Sequence, residues 1–354
     1  MTRFLRLAAI LGVVGVAALL PACGGKGSGK PQVAIVTNTA DPFWDICQAG
    51  ATKAADEFGV ELLFRQPTPA STDQQNKTVD DVLRLGLKGL AVSVVAPAEQ
   101  TPKLKAIAQD LPNNNFICID NDAPDTGRLC YVGVDNFEAG KECGKLVKHA
   151  LPNGGTVGIF IGFTDSGNAP LRIAGVLTEL GGEDARADVK AGKYQAKYGN
   201  YTLHAGRPIT DETKKDVAEQ RAGAFMDEYA TKPNVCFVGL YAYNPAKALE
   251  QARKKGLVGK IKIVGFDEDL VTLEGIQEGE IVGSVSQDPY GYGYETVKWL
   301  KHVIDGKDKK ELPQTATKYS IVTQDGKPFA NTTPGIAAKK VKDYYKVVAD
   351  AIKK

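Results

Sequence analysis

The sequence has 354 residues, 43% hydrophobic and 24% charged, enough for one large or two medium domains, which excludes a disordered tail and a small disulfide scaffold. Lys and Arg number 44 against 42 Asp and Glu, and loss of Arg3 and Arg6 with a leader leaves 42 against 42. Such a neutral balance argues against a phosphate-neutralising nucleic-acid binder, and three scattered histidines, His149, His204 and His302, argue against a histidine-rich metal centre.

Residues 1–22 carry Arg3 and Arg6, then an apolar run over 7–20 too short to span a bilayer, and no acid precedes Asp41. This reads as a secretory signal. Leu20-Pro21-Ala22-Cys23 resembles the bacterial lipobox, which implies lipidation of Cys23 as the new N-terminus, although Pro21 departs from the usual residue there. The glycine- and lysine-rich stretch 23–31 reads as a flexible tether between anchor and domain.

From Gln32 onward, short β-branched runs alternate with stretches of helical period, which predicts βαβ units and parallel sheets. Strands are expected over 33–37, 60–64, 90–95 and 116–120, with helices over 43–58, 73–85 and 101–109 between them. The rhythm then repeats. Strands are expected over 130–134, 156–161, 201–204, 236–240, 261–266, 281–286 and 319–322, and helices over 137–150, 169–180, 211–230, 245–255, 270–277 and 290–304. A last amphipathic helix is expected over 334–352, and 181–200 reads as a surface insertion. Two sheets of about five or six strands fit this count. Cys118 and Cys130, on successive strands, are either bridged or packed as small apolar groups, whereas Cys47, Cys143 and Cys236 read as core residues.

Four stretches end predicted strands in polar or aromatic side chains, where open α/β sheets hold ligands. They are Asp41-Pro42-Phe43-Trp44, Asp120-Asn121-Asp122, Phe163-Thr164-Asp165-Ser166-Gly167-Asn168 with Arg172 on the next helix, and a last group. That group comprises Tyr241-Ala242-Tyr243-Asn244, Val264-Gly265-Phe266-Asp267 and Gln287-Asp288-Pro289. Together they resemble the type I periplasmic sugar-binding family, over nearly all of 32–323.

The resemblance implies two Rossmann-like lobes of parallel sheet joined by a three-crossing hinge near 121–135, 267–287 and 306–319. The N-terminal lobe would hold 32–134 and 288–314, the C-terminal lobe 135–287 and 315–354. It assigns Asp41, Asp120, Asn121, Asp267 and Gln287 to sugar hydroxyls, Phe43 and Trp44 to the sugar's C–H face, and Arg172 to paired oxygens. Tyr241 falls where the ribose-binding pattern has asparagine, a role Asn244 can take. Flat rings beside charged hydrogen-bonding groups suit a sugar on physical grounds alone. The bland alternatives are that Phe43 and Trp44 form a hydrophobic staple and that Asp267 only caps the helix after it. Asn121 in place of the ribose pattern's arginine makes ribose itself doubtful.

The function implied is capture of a monosaccharide outside the cytoplasm by a monomeric lipoprotein that serves the permease subunits of an ABC importer, with no cofactor, metal or catalysis. A receptor of the same fold feeding a chemoreceptor or kinase is the alternative. A glycosidase using two of Asp41, Asp120 and Asp267 has no supporting motif.

Overall fold

Apolar β-branched runs bounded by turns pair here as parallel strands covered by helices. The computed structural model describes residues 29–313 and 317–352, and the fold begins at Pro31. The signal, the tether up to Ser28 and Cys23 lie outside the described residues.

The first lobe contains β1 (Gln32–Val36), α1 (Pro42–Phe58), β2 (Glu61–Arg65), α2 (Thr72–Leu83), β3 (Gly89–Val92), α3 (Pro97–Asp110), β4 (Phe116–Ile119) and β5 (Tyr131–Val132). Its strands form one parallel sheet in the order β2-β1-β3-β4-β5. Alternation along the strands divides the core. Val33, Ile35, Ile117 and Ile119 face α1, while Ala34, Val36, Leu90, Val92 and Phe116 face α2 and α3.

The second lobe follows with α4 (Asn136–Ala150), β6 (Gly155–Ile161), α5 (Ala169–Gly181), α6 (Arg186–Lys190), β7 (Lys197–Tyr198), β8 (Tyr201–Leu203), β9 (Ile209–Thr210) and α7 (Lys215–Glu228). Then come β10 (Val235–Gly239), α8 (Tyr243–Lys255), β11 (Ile261–Phe266), α9 (Leu270–Gln277), β12 (Gly283–Ser286), α10 (Pro289–Ile304), β13 (Ser320–Thr323), β14 (Ala337–Lys340) and α11 (Val341–Ile352). This sheet runs β14-β13-β12-β11-β10-β6-β8-β7, with β9 beside the C-terminal end of β6. Among the described residues, only the β12–β13 and β7–β8 pairs are antiparallel.

Helix α10 leaves the second sheet and packs on α1 of the first lobe, where both helices carry glycine at the crossing. A Cβ at Gly50 would stand 1.9 Å from the Tyr290 carbonyl oxygen, and one at Gly293 1.9 Å from that of Cys47. The chain therefore passes between lobes after β5, between β12 and α10, and after α10. The first and third crossings are joined by a Thr317 N–H to Gly133 carbonyl bond of 2.7 Å, and the Tyr292 hydroxyl accepts from Val134 N–H at 2.9 Å.

Several expectations change. The second crossing is confined to the few residues after Ser286, because β11 and β12 both belong to the second sheet. The second sheet has nine strands, since 181–200 holds α6 and β7 and the stretch before α7 supplies β9. The helix expected from 334 begins at Val341, because Ala337–Lys340 pairs with β13 as strand β14. Cys118 and Cys130 are both free and buried. Register sets Tyr131 beside Cys118, so Cys130 points to the opposite face; Cys118 packs with α2 and α3, Cys130 with the α1 side.

Candidate functional site

Loops that leave the C-terminal ends of β1, β3, β4, β6, β9, β10, β11 and β12 converge on one cavity of about 90 Å³. That is room for a few waters or part of a small polar molecule. The first lobe lines it with Asn38 and Asp41 after β1, Phe43 and Trp44 on α1, Val95 after β3 and Asp120 after β4. The second supplies Phe163, Ser166 and Asn168 after β6, Arg172 on α5, Thr213 and Lys215 around the start of α7, Tyr241 and Tyr243 after β10, Asp267 after β11 and Gln287 after β12.

Arg172 occupies the centre and is almost fully buried. Its backbone is set by a tight α4–α5 crossing, where a Cβ at Gly140 would meet the Arg172 carbonyl oxygen at 2.3 Å. Its Nε donates to Asn136 Oδ1 at 2.8 Å and Nη1 to the Leu240 carbonyl at 2.8 Å; the guanidinium lies 4.0 Å from the Phe266 ring centroid. Nη2 is buried with no partner in the protein. Such an atom is costly unless something accepts its hydrogens.

Two carboxylates flank it. Asp267 Oδ2 lies 3.7 Å from Arg172 Nη1, and its Oδ1 accepts from Gln287, whose own carbonyl accepts from the Tyr292 hydroxyl at 3.2 Å. Burial, with the neighbouring Glu268 charge, raises the Asp267 carboxyl above its ordinary range against the pull of Arg172 and Gln287. Asp120 accepts from Ser93 Oγ at 3.0 Å, and burial pushes it up to about 6 although Arg172 and Ser93 favour its charge. Asp120 and Asp267 both sit in the left-handed region, φ 59° and 70°, which turns each side chain off its strand end into the cleft. Asp267 is not a helix cap. Asp269 caps α9, accepting from Val271 N–H at 2.8 Å.

The walls are aromatic. Phe43 and Trp44 meet edge to face, ring centroids 5.0 Å apart, and Trp44 Nε1 donates to Asn38 Oδ1 at 3.0 Å. Tyr241 is held by Ser166 Oγ at 2.9 Å, and the Tyr243 hydroxyl donates to Asp211 Oδ1 at 2.6 Å.

Asn121 and Asn244, expected to touch ligand, do not line the cavity; each bonds to the protein around it. Asn121 Oδ1 accepts from Asn168 N–H at 3.1 Å. Asn244 Oδ1 accepts from Tyr241 N–H at 3.2 Å, and its Nδ2 donates to Asp211 at 2.8 Å. Asp41 lines the cavity but already caps α1 through Phe43 N–H at 3.1 Å and meets Lys215 Nζ at 3.1 Å. Lining residues that sequence reasoning did not select include Asn38, Val95, Phe163, Ser166, Asn168, Thr213, Lys215 and Tyr243. Phe163, Ser166 and Asn168 carried a signal, since they follow a predicted strand; Lys215 carried none.

Two parallel-sheet lobes, three crossings and a cleft lined by strand ends define a binding protein of the type I periplasmic fold. A family model described as "Periplasmic binding protein domain" matches residues 33–308, and the chain belongs to that family. It is similar to the ribose import binding protein of Haemophilus influenzae, 25% identical over 293 residues that cover 80% of this chain and 89% of that one. It is also similar to the D-ribose/D-allose-binding protein of Pseudomonas aeruginosa, 26% identical over 275 residues, 73% of this chain and 77% of that one. Among solved structures it is similar to an ABC transporter solute binding protein from Burkholderia graminis in complex with D-arabinose, with TM-score 0.73, 24% identity, and coverage of 85% of this chain and 98% of that one. It is likewise similar to a chain titled XylFII, with TM-score 0.70, 22% identity, and coverage of 83% and 98%.

Proposed function

We propose that this chain captures a monosaccharide in its interlobe cleft outside the cytoplasm and hands it to an ABC importer. The observation that carries the reading is the buried Arg172, with one unpartnered nitrogen, set between Asp120 and Asp267 and walled by Phe43, Trp44, Phe163 and Tyr241. Vicinal hydroxyls can accept from the guanidinium while donating to the carboxylates, and their ring's C–H face can lie on the aromatics. Relatives named for ribose import, for ribose and allose binding and for fructose import support the ligand class. The binding role needs no chemistry of the site, in keeping with relatives named as binding proteins.

The anchoring reading rests on the sequence: a signal over 1–22, lipid on Cys23 and a tether over 23–31. Among the described residues no helix is long and apolar enough to cross a membrane. Ligand would draw together two bodies, 32–134 with 288–314 and 135–287 with 315–354, into a form a permease distinguishes from the open one. A receptor role is the second reading, supported by the likeness to a chain solved as the XylFII-LytSN complex.

The test is a thermal-shift screen of purified protein against pentoses, hexoses and deoxysugars. A cognate sugar at a hundred times its Kd adds about 2.7 kcal/mol. A panel in which no monosaccharide raises the midpoint refutes the proposal.

A further inference from the structure

Two of the residues expected to touch ligand, Asp41 and Asn121, make bonds across the cleft. Asp41 follows β1 of the first lobe, and Lys215 opens α7 of the second; Oδ2 and Nζ stand 3.1 Å apart. On another rim Asn121, after β4, accepts from the backbone of Asn168, after β6, at 3.1 Å. Neither bond survives separation of the lobes.

Lys215 sits where helix physics disfavours it. It is the first residue of α7, directly after Lys214, at the positive end of the helix dipole, where an acid would be stabilising. The segment before it is built to deliver it there. β9 pairs with the C-terminal end of β6, Glu212 and Thr213 both take the left-handed conformation, and buried Asp211 holds Thr213 N–H at 2.9 Å. A cation placed against its own helix, by a constrained turn, meets the other lobe's Asp41 directly, while Asp269 of its own lobe lies near enough to feel its charge.

We propose that Asp41 and Lys215 form a closure latch, seconded by Asn121 and Asn168, that favours the closed form whether or not ligand is bound. The proposal rests on the reading of the cleft as a ligand site that opens and closes. Lys215 is half exposed, so the latch is weak and salt-sensitive. It makes the affinity for an uncharged ligand depend on ionic strength.

The experiment measures ligand-free lobe separation by pulsed spin-label distances, with labels introduced through Lys105→Cys on α3 and Lys254→Cys on α8, both exposed. Lys215→Gln is expected to lower the closed-to-open ratio about two- to fivefold. Lys215→Glu should lower it further, Lys215→Arg should keep it, and 1 M salt should act on the parent but not on Lys215→Gln. Glu at this position suits the dipole, so loss of α7 does not explain a shift. A ligand-free distribution unchanged in Lys215→Glu overturns the latch, whatever happens to sugar affinity. A distribution that responds as expected supports it even if every sugar fails to bind, an outcome that would remove the ligand assignment alone.

Discussion

Replacing Asp120 by Asn separates what the site costs the fold from what it gives the ligand. The Asp120 carboxyl has a pKa of about 6 in the folded chain against an ordinary 3.8, because burial disfavours its charge more than Arg172 and Ser93 favour it. The folded state thus holds this proton more tightly than the unfolded chain does. Stability from this group falls as pH rises between those two values and stays low above them. At about 1.4 kcal/mol per pKa unit, the ionised carboxylate costs the empty protein roughly 3 kcal/mol at pH 7.5. Asn keeps the acceptor for Ser93 and tolerates the left-handed backbone. Asp120→Asn should therefore stabilise the ligand-free protein at pH 7.5 by up to about 3 kcal/mol, or about 4 °C for a chain of this length, and by little at pH 4. Sugar affinity should move the other way, falling roughly ten- to a hundredfold as charge-assisted hydrogen bonds are lost. Thermal unfolding at the two pH values and calorimetry with the cognate sugar measure both effects. A variant destabilised equally at both pH values would refute the argument, because it would show that Asp120 is a structural group whose charge the fold does not resist.

Asp267→Asn should weaken sugar binding roughly ten- to a hundredfold in calorimetry while leaving α9 intact by circular dichroism, since Asp269 holds the cap. Tyr344→Phe removes a donor at 2.9 Å from buried Glu268, which also accepts from Ser286 Oγ; a loss of about 1–3 kcal/mol in denaturant unfolding is expected, with no change in which sugar binds. Thiol titration of the denatured protein without reductant should find Cys118 and Cys130 both reactive, and reductant should leave the thermal midpoint unchanged.

What could be read in the sequence follows from which contacts are local. Strand periodicity and the polar residues just past the strands are local patterns; with the family resemblance, which assigned Asp120, Arg172, Tyr241, Asp267 and Gln287, they pointed to residues that line the cavity. Asn121, Asn244 and Asp41 each have a partner in another strand's loop, which nothing beside these residues in the sequence announces. Asp267 reads as a possible cap because a helix follows it, but the cap is Asp269, and the left-handed backbone of Asp267 turns its side chain away. Ala337–Lys340 has the composition of a helix and becomes β14 only because the edge of β13 is there to pair with it. The faces of Cys118 and Cys130 depended on a register that neither strand specifies alone.

The return of α10 to the first lobe has a consequence for how the chain acquires its structure. Strands β1 to β5 expose the face that α10 will cover until residues 289–304 have been made, while the second sheet waits for β13 and β14 still later. The first sheet has all its strands by Val132, yet its core is not closed on the α1 side until α10 has been made. Pairings such as α1 with α10 close very long loops, which makes folding slow and leaves apolar surface open to aggregation during synthesis. The same interlacing means that the two lobes should unfold together in a single transition, for neither keeps its core once the other has released the strands that connect them.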